Sequence, residues 1–194
     1  MNRQLLHHRG GASAAEFALV LPVLIILLMG IIDAGRWIWT YNRAEKATQM
    51  GARMAVVTNH VSSNIGATYV GACSPPLTQG DLIPSSCFST ITCTNSGCSA
   101  GTTDSAAFTT VVNRMRVFLP DIQPANVSIE YSSAGLGYAG NPTGPDLVPL
   151  VTVKLGTPTA LQFRPVTSLM FATLNMPTFT TSLTSEDLVG LQSN

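Results

Sequence analysis

Residues 11–32 read GASAAEFALVLPVLIILLMGII, and the architecture turns on this stretch. Gly11 is followed five residues later by Glu16, which stands directly against an apolar run. From Phe17 to Ile32 there are sixteen residues without a charge, slightly fewer than the ~20 needed to cross a bilayer. Ala12–Ala15 before the run and Trp37, Ile38 and Trp39 after it make up the difference, giving a span over about residues 17–39. Trp37, Trp39 and Tyr41 fall where an aromatic belt meets the far interface. Good helix formers continue to about Val57, interrupted by Pro22, Gly30 and Gly35, so the pattern predicts one long helix over 12–57. Pro22 removes a backbone donor and crowds the preceding turn, so a bend is expected there.

A carboxylate inside the membrane edge costs a few kcal/mol, and Glu16 needs something to offset that. A cut between Gly11 and Ala12 creates a new α-amine four residues before Glu16. That is one helical turn, so amine and carboxylate can meet within one chain or between neighbours. Glu16 then also lies in the first turn, where the helix dipole favours negative charge. The plainer alternative is that Glu16 marks the membrane edge of an ordinary, uncleaved signal-anchor.

With 194 residues, the chain has room for one modest domain beside the anchor. Lys+Arg and Asp+Glu are both 10, and charged residues make up 10%, against about 25% in a typical soluble domain. Lysine occurs only at Lys46 and Lys154. A nucleic-acid binder needs a basic patch, and none is available. Cys73, Cys87, Cys93 and Cys98 lie in a Ser/Thr-rich stretch with no C-x-x-C pair and no nearby histidine. Zinc binding is disfavoured on that spacing, and two disulfides in an oxidising compartment are expected, with three connectivities open.

Beyond the helix, residues 58–103 read as a cysteine-containing loop region and 104–194 as an α+β domain. Asp104 is placed to cap a short helix ending at Leu119: Phe108, Val111, Val112, Met115 and Phe118 recur at helical spacing, and Pro120 stops it. Asn126–Ser132, Leu147–Leu155 and Thr178–Thr184 read as strands, while Leu161–Leu174 fits either a short strand or a short helix. The expected class is α+β: a long N-terminal transmembrane helix, then a small domain with a helix and an antiparallel sheet of three or four strands.

Gly30 and Ala34 form a small-xxx-small pair that lets helices approach closely in lipid. Ala44, Ala47, Gly51 and Ala55 continue at helical spacing beyond it. This face suits packing against other subunits or against the chain's own domain. Asp33 and Arg36 are spaced for a local i, i+3 ion pair.

The string Gly11-Ala-Ser-Ala-Ala-Glu16-Phe17 resembles the prepilin-peptidase recognition site of the type IV pilin superfamily. Glu16-Phe17-Ala-Leu19, Leu21-Pro22, Gly30, Asp33-Ala-Gly35-Arg36, Ala44, Ala47 and Gly51-Ala-Arg53-Met-Ala55 narrow the likeness. Over roughly residues 10–57 the chain resembles the TadE-like pseudopilins of the tight-adherence (Tad) system, with TadF-like and TadG-like proteins as relatives. The resemblance implies a prepilin-type leader over 1–11, cleavage at Gly11/Ala12, and a register role in assembly for Glu16 beside Phe17. It implies a minor pilin of an Flp-type pilus or secretion apparatus. Its partners would be prepilin peptidase, sibling pseudopilins, the major Flp-type pilin, the inner-membrane platform and the lipid bilayer. It also implies a single-pass protein of the bacterial inner membrane with the domain outside. The alternative is an unprocessed, membrane-tethered binding module.

Lys/Arg counting opposes this orientation, because Arg36, Arg43, Lys46 and Arg53 outnumber Arg3 and Arg9. The leader motif and the four cysteines argue for it. Catalytic signals are thin. Gly135-Leu-Gly137-Tyr-Ala-Gly140 matches G-x-G-x-x-G but runs into Asn141-Pro-Thr-Gly-Pro145, not into a helix. His7 and His8 fall in the leader, leaving only His60, and Asp121, Glu130 and Asp146 are scattered. No enzyme, cofactor or metal is expected.

Overall fold

The computed structural model describes residues 9–142, 144–169 and 172–185. The leader residues 1–8, including His7 and His8, lie outside the described residues. The chain divides into two compact units, Met1–Trp39 with Phe163–Leu174, and Thr40–Gln162 with Asn175–Asn194.

Helix α1 runs from Arg9 to Val57 without interruption at Pro22. It begins before the expected residue 12, because Gly10 and Gly11 stay within helical geometry ahead of the strong helix formers Ala14 and Ala15.

In the second unit, strands β1 (Ile91–Thr94), β2 (Gly97–Cys98), β3 (Val127–Gly137), β4 (Leu147–Leu155) and β7 (Phe179–Thr184) form one antiparallel sheet in the order β2-β1-β3-β4-β7. Two very short strands, β5 (Gln162–Phe163) and β6 (Leu174–Asn175), pair separately, and a 3-10 turn at Val166–Leu169 lies between them in sequence. Among its described residues, the ambiguous 161–174 stretch thus contains pieces of both, strand at 162–163 and 174 and a 3-10 turn at 166–169. The main sheet has five strands, not three or four, because the cysteine region contributes the β1–β2 hairpin. Pro149 is tolerated inside β4 because its carbonyl accepts from the Ser185 N–H, which places its donor-less nitrogen on the β7 side, just beyond the paired Leu150 and Thr184.

Helix α2 (Ser105–Arg116) starts at the expected cap, with the Asp104 carboxylate accepting from the N–H groups of Ala106 (2.9 Å) and Ala107 (3.0 Å). Its inward stripe of Ala107, Phe108, Val111, Val112 and Met115 is buried. Val127, Ile129 and Tyr131 of β3 and Val151, Val153 and Leu155 of β4 complete the core. Tyr131 is fully buried, and its hydroxyl oxygen accepts from the Val61 N–H at 3.1 Å. Burial pushes its pKa up to about 12 against that opposing bond.

The cysteines pair as Cys73–Cys87 and Cys93–Cys98. The second bridge joins directly opposed residues of the β1–β2 hairpin. Chain-entropy arithmetic for loops of these lengths gives about 3 kcal/mol for the longer bridge and about 2 kcal/mol for the shorter. Removing Cys73 and Cys87 together as serines is therefore expected to lower the unfolding free energy more than removing Cys93 and Cys98. Denaturant titration of the two double variants checks the order, and equal losses would refute it.

Candidate functional site

The candidate site is α1, whose two halves have different surroundings. From Phe17 to Ile32 the side chains are exposed, including Phe17, Leu19, Val23 and Ile31. An isolated soluble subunit does not leave such a surface uncovered. Gly11 and Glu16 are exposed immediately before it, and the side chain of Ala12 lies outside the described residues. Among the described residues, Glu16 forms no ion pair within the subunit.

The small residues named from sequence separate into two groups. Gly30 and Ala34 face outward, and a Cβ placed on Gly30 would meet nothing within 4 Å. Ala44, Ala47, Gly51 and Ala55 are buried, as are Thr48 and Ala52. They lie in the second unit, where a Cβ on Gly51 would stand 2.7 Å from Met115 Cγ and 3.4 Å from Val153 Cγ1. This part of the face is therefore occupied by the subunit's own α2 and β4. The Arg43 guanidinium donates to the Phe118 carbonyl at 2.6 Å, and Tyr41 meets Phe179 edge-on at 4.9 Å between centroids.

Asp33 does more than the local pair expected of it. Arg36 Nη1 donates to it at 3.2 Å. The Val166 N–H (2.7 Å), Thr167 N–H (3.1 Å) and Thr167 hydroxyl (2.7 Å) donate as well. One turn further along, Trp37 packs edge-on against Phe163 at 5.2 Å, and the Arg36 guanidinium stands 5.5 Å from the same ring. The first unit thus holds residues 163–167 against one face of α1 at positions 33, 36 and 37. Sequence spacing gave no sign of a partner 133 residues away. A polar residue recurring beside an aromatic on one helix face was the only available hint.

Two of the residues weighed for catalysis, Glu130 and Asp146, make bonds within the second unit. Glu130 pairs with Lys154 across β3 and β4 at 2.5 Å. Asp146 ties together two loops, accepting from the N–H groups of Tyr69 (2.7 Å), Gly140 (2.9 Å) and Asn141 (2.8 Å) and from the Thr68 hydroxyl (3.1 Å). Burial pushes its carboxyl up, but these four bonds outweigh that and leave it below the usual carboxylate range. The glycine string ends in a loop. Gly137, at φ 116°, brings its backbone so close to the Asp146 carbonyl that no side chain fits. Asp121 is exposed, and His60 lies against Gly66. Among the described residues no three His, Cys, Asp or Glu side chains cluster as metal ligands.

Within the described residues, α1 is the one helix long and apolar enough, by length and composition, to cross a membrane. A chain with such a helix and a small α+β domain fits a single-pass membrane protein. Residues 11–53 match the family model described as TadE-like protein, so this segment is similar to that family. The match ends within α1, in the part of the helix that belongs to the second unit, and does not reach the sheet or α2. No curated protein and no solved structure matches the chain.

Proposed function

We propose that this chain is a minor pilin or pseudopilin, an assembly subunit of a tight-adherence (Flp-type) pilus or secretion apparatus. The observation that carries the reading is the placement of Gly11 and Glu16 at the head of an exposed apolar helix, where the TadE-like match begins. Prepilin peptidase cuts between Gly11 and Ala12 on the cytoplasmic side of the inner membrane, and the domain lies outside. The new α-amine of one subunit neutralises Glu16 of itself or a neighbour and sets axial register. The exposed surface around Gly30 and Ala34 packs against sibling pseudopilins or the major Flp-type pilin. The work is mechanical assembly at the inner-membrane platform, with no catalytic step.

The test is the mature N-terminus of membrane-extracted protein, from intact mass and terminal peptides, with prepilin peptidase present and absent. The expected result is a peptidase-dependent start at Ala12. Glu16→Ala is expected to leave membrane insertion intact and abolish co-purification with sibling subunits. A start at Met1 regardless of peptidase, with Glu16→Ala silent, would leave the unprocessed tethered module standing instead.

A further inference from the structure

Residues 163–174 read FRPVTSLMFATL: no acidic residue, one arginine, and apolar side chains at most positions. The first unit holds the start of this segment against α1. Counting 1.5 Å per residue from Phe17, Asp33 lies about 24 Å and Trp37 about 30 Å along the helix, and a hydrocarbon core is about 30 Å thick. The backbone of Val166 and Thr167, hydrogen-bonded to Asp33, therefore stands where hydrocarbon gives way to headgroups. So does Phe163, packed on Trp37. At that depth water is scarce, and a carboxylate needs its hydrogen bonds from protein donors. Asp33 has them, and is only 8% exposed. Phe163 and Pro165 are buried, but the larger aliphatic side chains described elsewhere in the segment are not. Val166 is 54% and Leu174 53% exposed, and Arg164 is exposed between Phe163 and Pro165.

We propose that residues 163–167 and 172–174 form a second membrane-contacting element, an interfacial foot. Val166 and Leu174 rest in the outer boundary of the same phospholipid bilayer that α1 crosses, and Arg164 reaches the headgroup phosphates. The occupant is lipid because the segment is held at the end of the spanning stretch, and because apolar residues with an arginine and no carboxylate match that boundary chemically. Asp33 is the positioning residue. The inference rests on α1 being membrane-spanning, and the test separates the two.

The full chain is reconstituted into vesicles of phosphatidylethanolamine and phosphatidylglycerol, with a diazirine side chain at Leu24, Val166 or Leu174. After illumination, adducts are identified by mass spectrometry, with the unsubstituted chain as background. Lipid adducts are expected from all three positions. Asp33→Ala is expected to lose the adducts at 166 and keep those at 24. Lipid adducts at 24, but only water adducts or chain-to-chain cross-links at 166 and 174, overturn the foot and leave the span intact. An absence of lipid adducts at 24 overturns the span and the foot with it. Undiminished labelling at 166 in Asp33→Ala overturns the role given to Asp33.

Discussion

Asp146→Ala is expected to destabilise the domain by about 4 kcal/mol, since each buried donor left without an acceptor costs about 1–3 kcal/mol and solvent can reach some of them. The residue is 5% exposed, and its two oxygens serve three backbone N–H groups and the Thr68 hydroxyl. The folded carboxyl is held below its ordinary value, so its contribution to stability is complete above the unfolded pKa of about 3.9 and is lost as pH falls through the folded value. Between pH 5 and 8 it contributes no slope. Asp81, lowered by its bonds from Thr78, adds acid sensitivity of the same sign. The specific signature is therefore a difference: Asp146→Asn is expected to be less stable at neutral pH and to lose less on acidification. Thermal melts of the detergent-solubilised chain from neutral pH to below 3 measure it. Parallel curves for the two proteins would contradict the assignment.

Gly51→Leu is expected to cost about 3 kcal/mol or more, at the upper end of what overpacking a filled core does. The first added carbon already meets Met115 Cγ at 2.7 Å and Sδ at 2.8 Å, and Met115 has no exposed surface into which to retreat. Alanine at 51 adds only that carbon and gains about 1 kcal/mol of helix propensity over glycine, which partly offsets the overlap. Gly51→Ala combined with Met115→Ala is therefore expected to cost less than the two single changes summed, because the truncated methionine vacates the space the new methyl needs. Gly30→Leu, with open space around it, is expected to leave the melting temperature of the domain unchanged. Calorimetry of these five variants decides the point, and strict additivity at 51 and 115 would refute the contact.

The long helix was legible because its cause is local: an uncharged run of helix formers needs no distant partner to be recognised. The same holds for the start and body of α2, marked by Asp104 and the 3.6-residue stripe, although the helix ends at Arg116, three residues before the expected Leu119. Strand β4 was legible to the residue, since its Val and Leu side chains bury on both faces of a central strand. The β1–β2 hairpin was not, because four residues of Ile-Thr-Cys-Thr carry too short a pattern, and β3 provides the edge that makes them a strand. The pairing of Cys73 with Cys87 likewise required the fold. Residues 163–167 gave no period because they lie against a helix face at positions 33, 36 and 37. Asp33 pairs with Arg36 as its spacing indicated, but its further bonds and the role of Asp146 were not legible: a carboxylate's role is set by which N–H groups converge on it, and those came from residues 166–167 and from 69, 140 and 141. The small-residue stripe was correctly located, but composition does not say which surface will cover it.

In the finished sheet β4 lies between β3 and β7, yet β7 follows it by 23 residues in the chain. While the polypeptide emerges from the ribosome or crosses a membrane amino end first, β3 and β4 are complete before β7 exists. For that interval a strand reading LVPLVTVKL is an open edge, the kind that recruits strands from other chains. Two of its residues limit the hazard: Pro149 offers no N–H to an intruding strand, and Lys154 sets a charge on the open side's neighbouring face. The order of synthesis thus helps explain why an interior strand carries the marks of an exposed one.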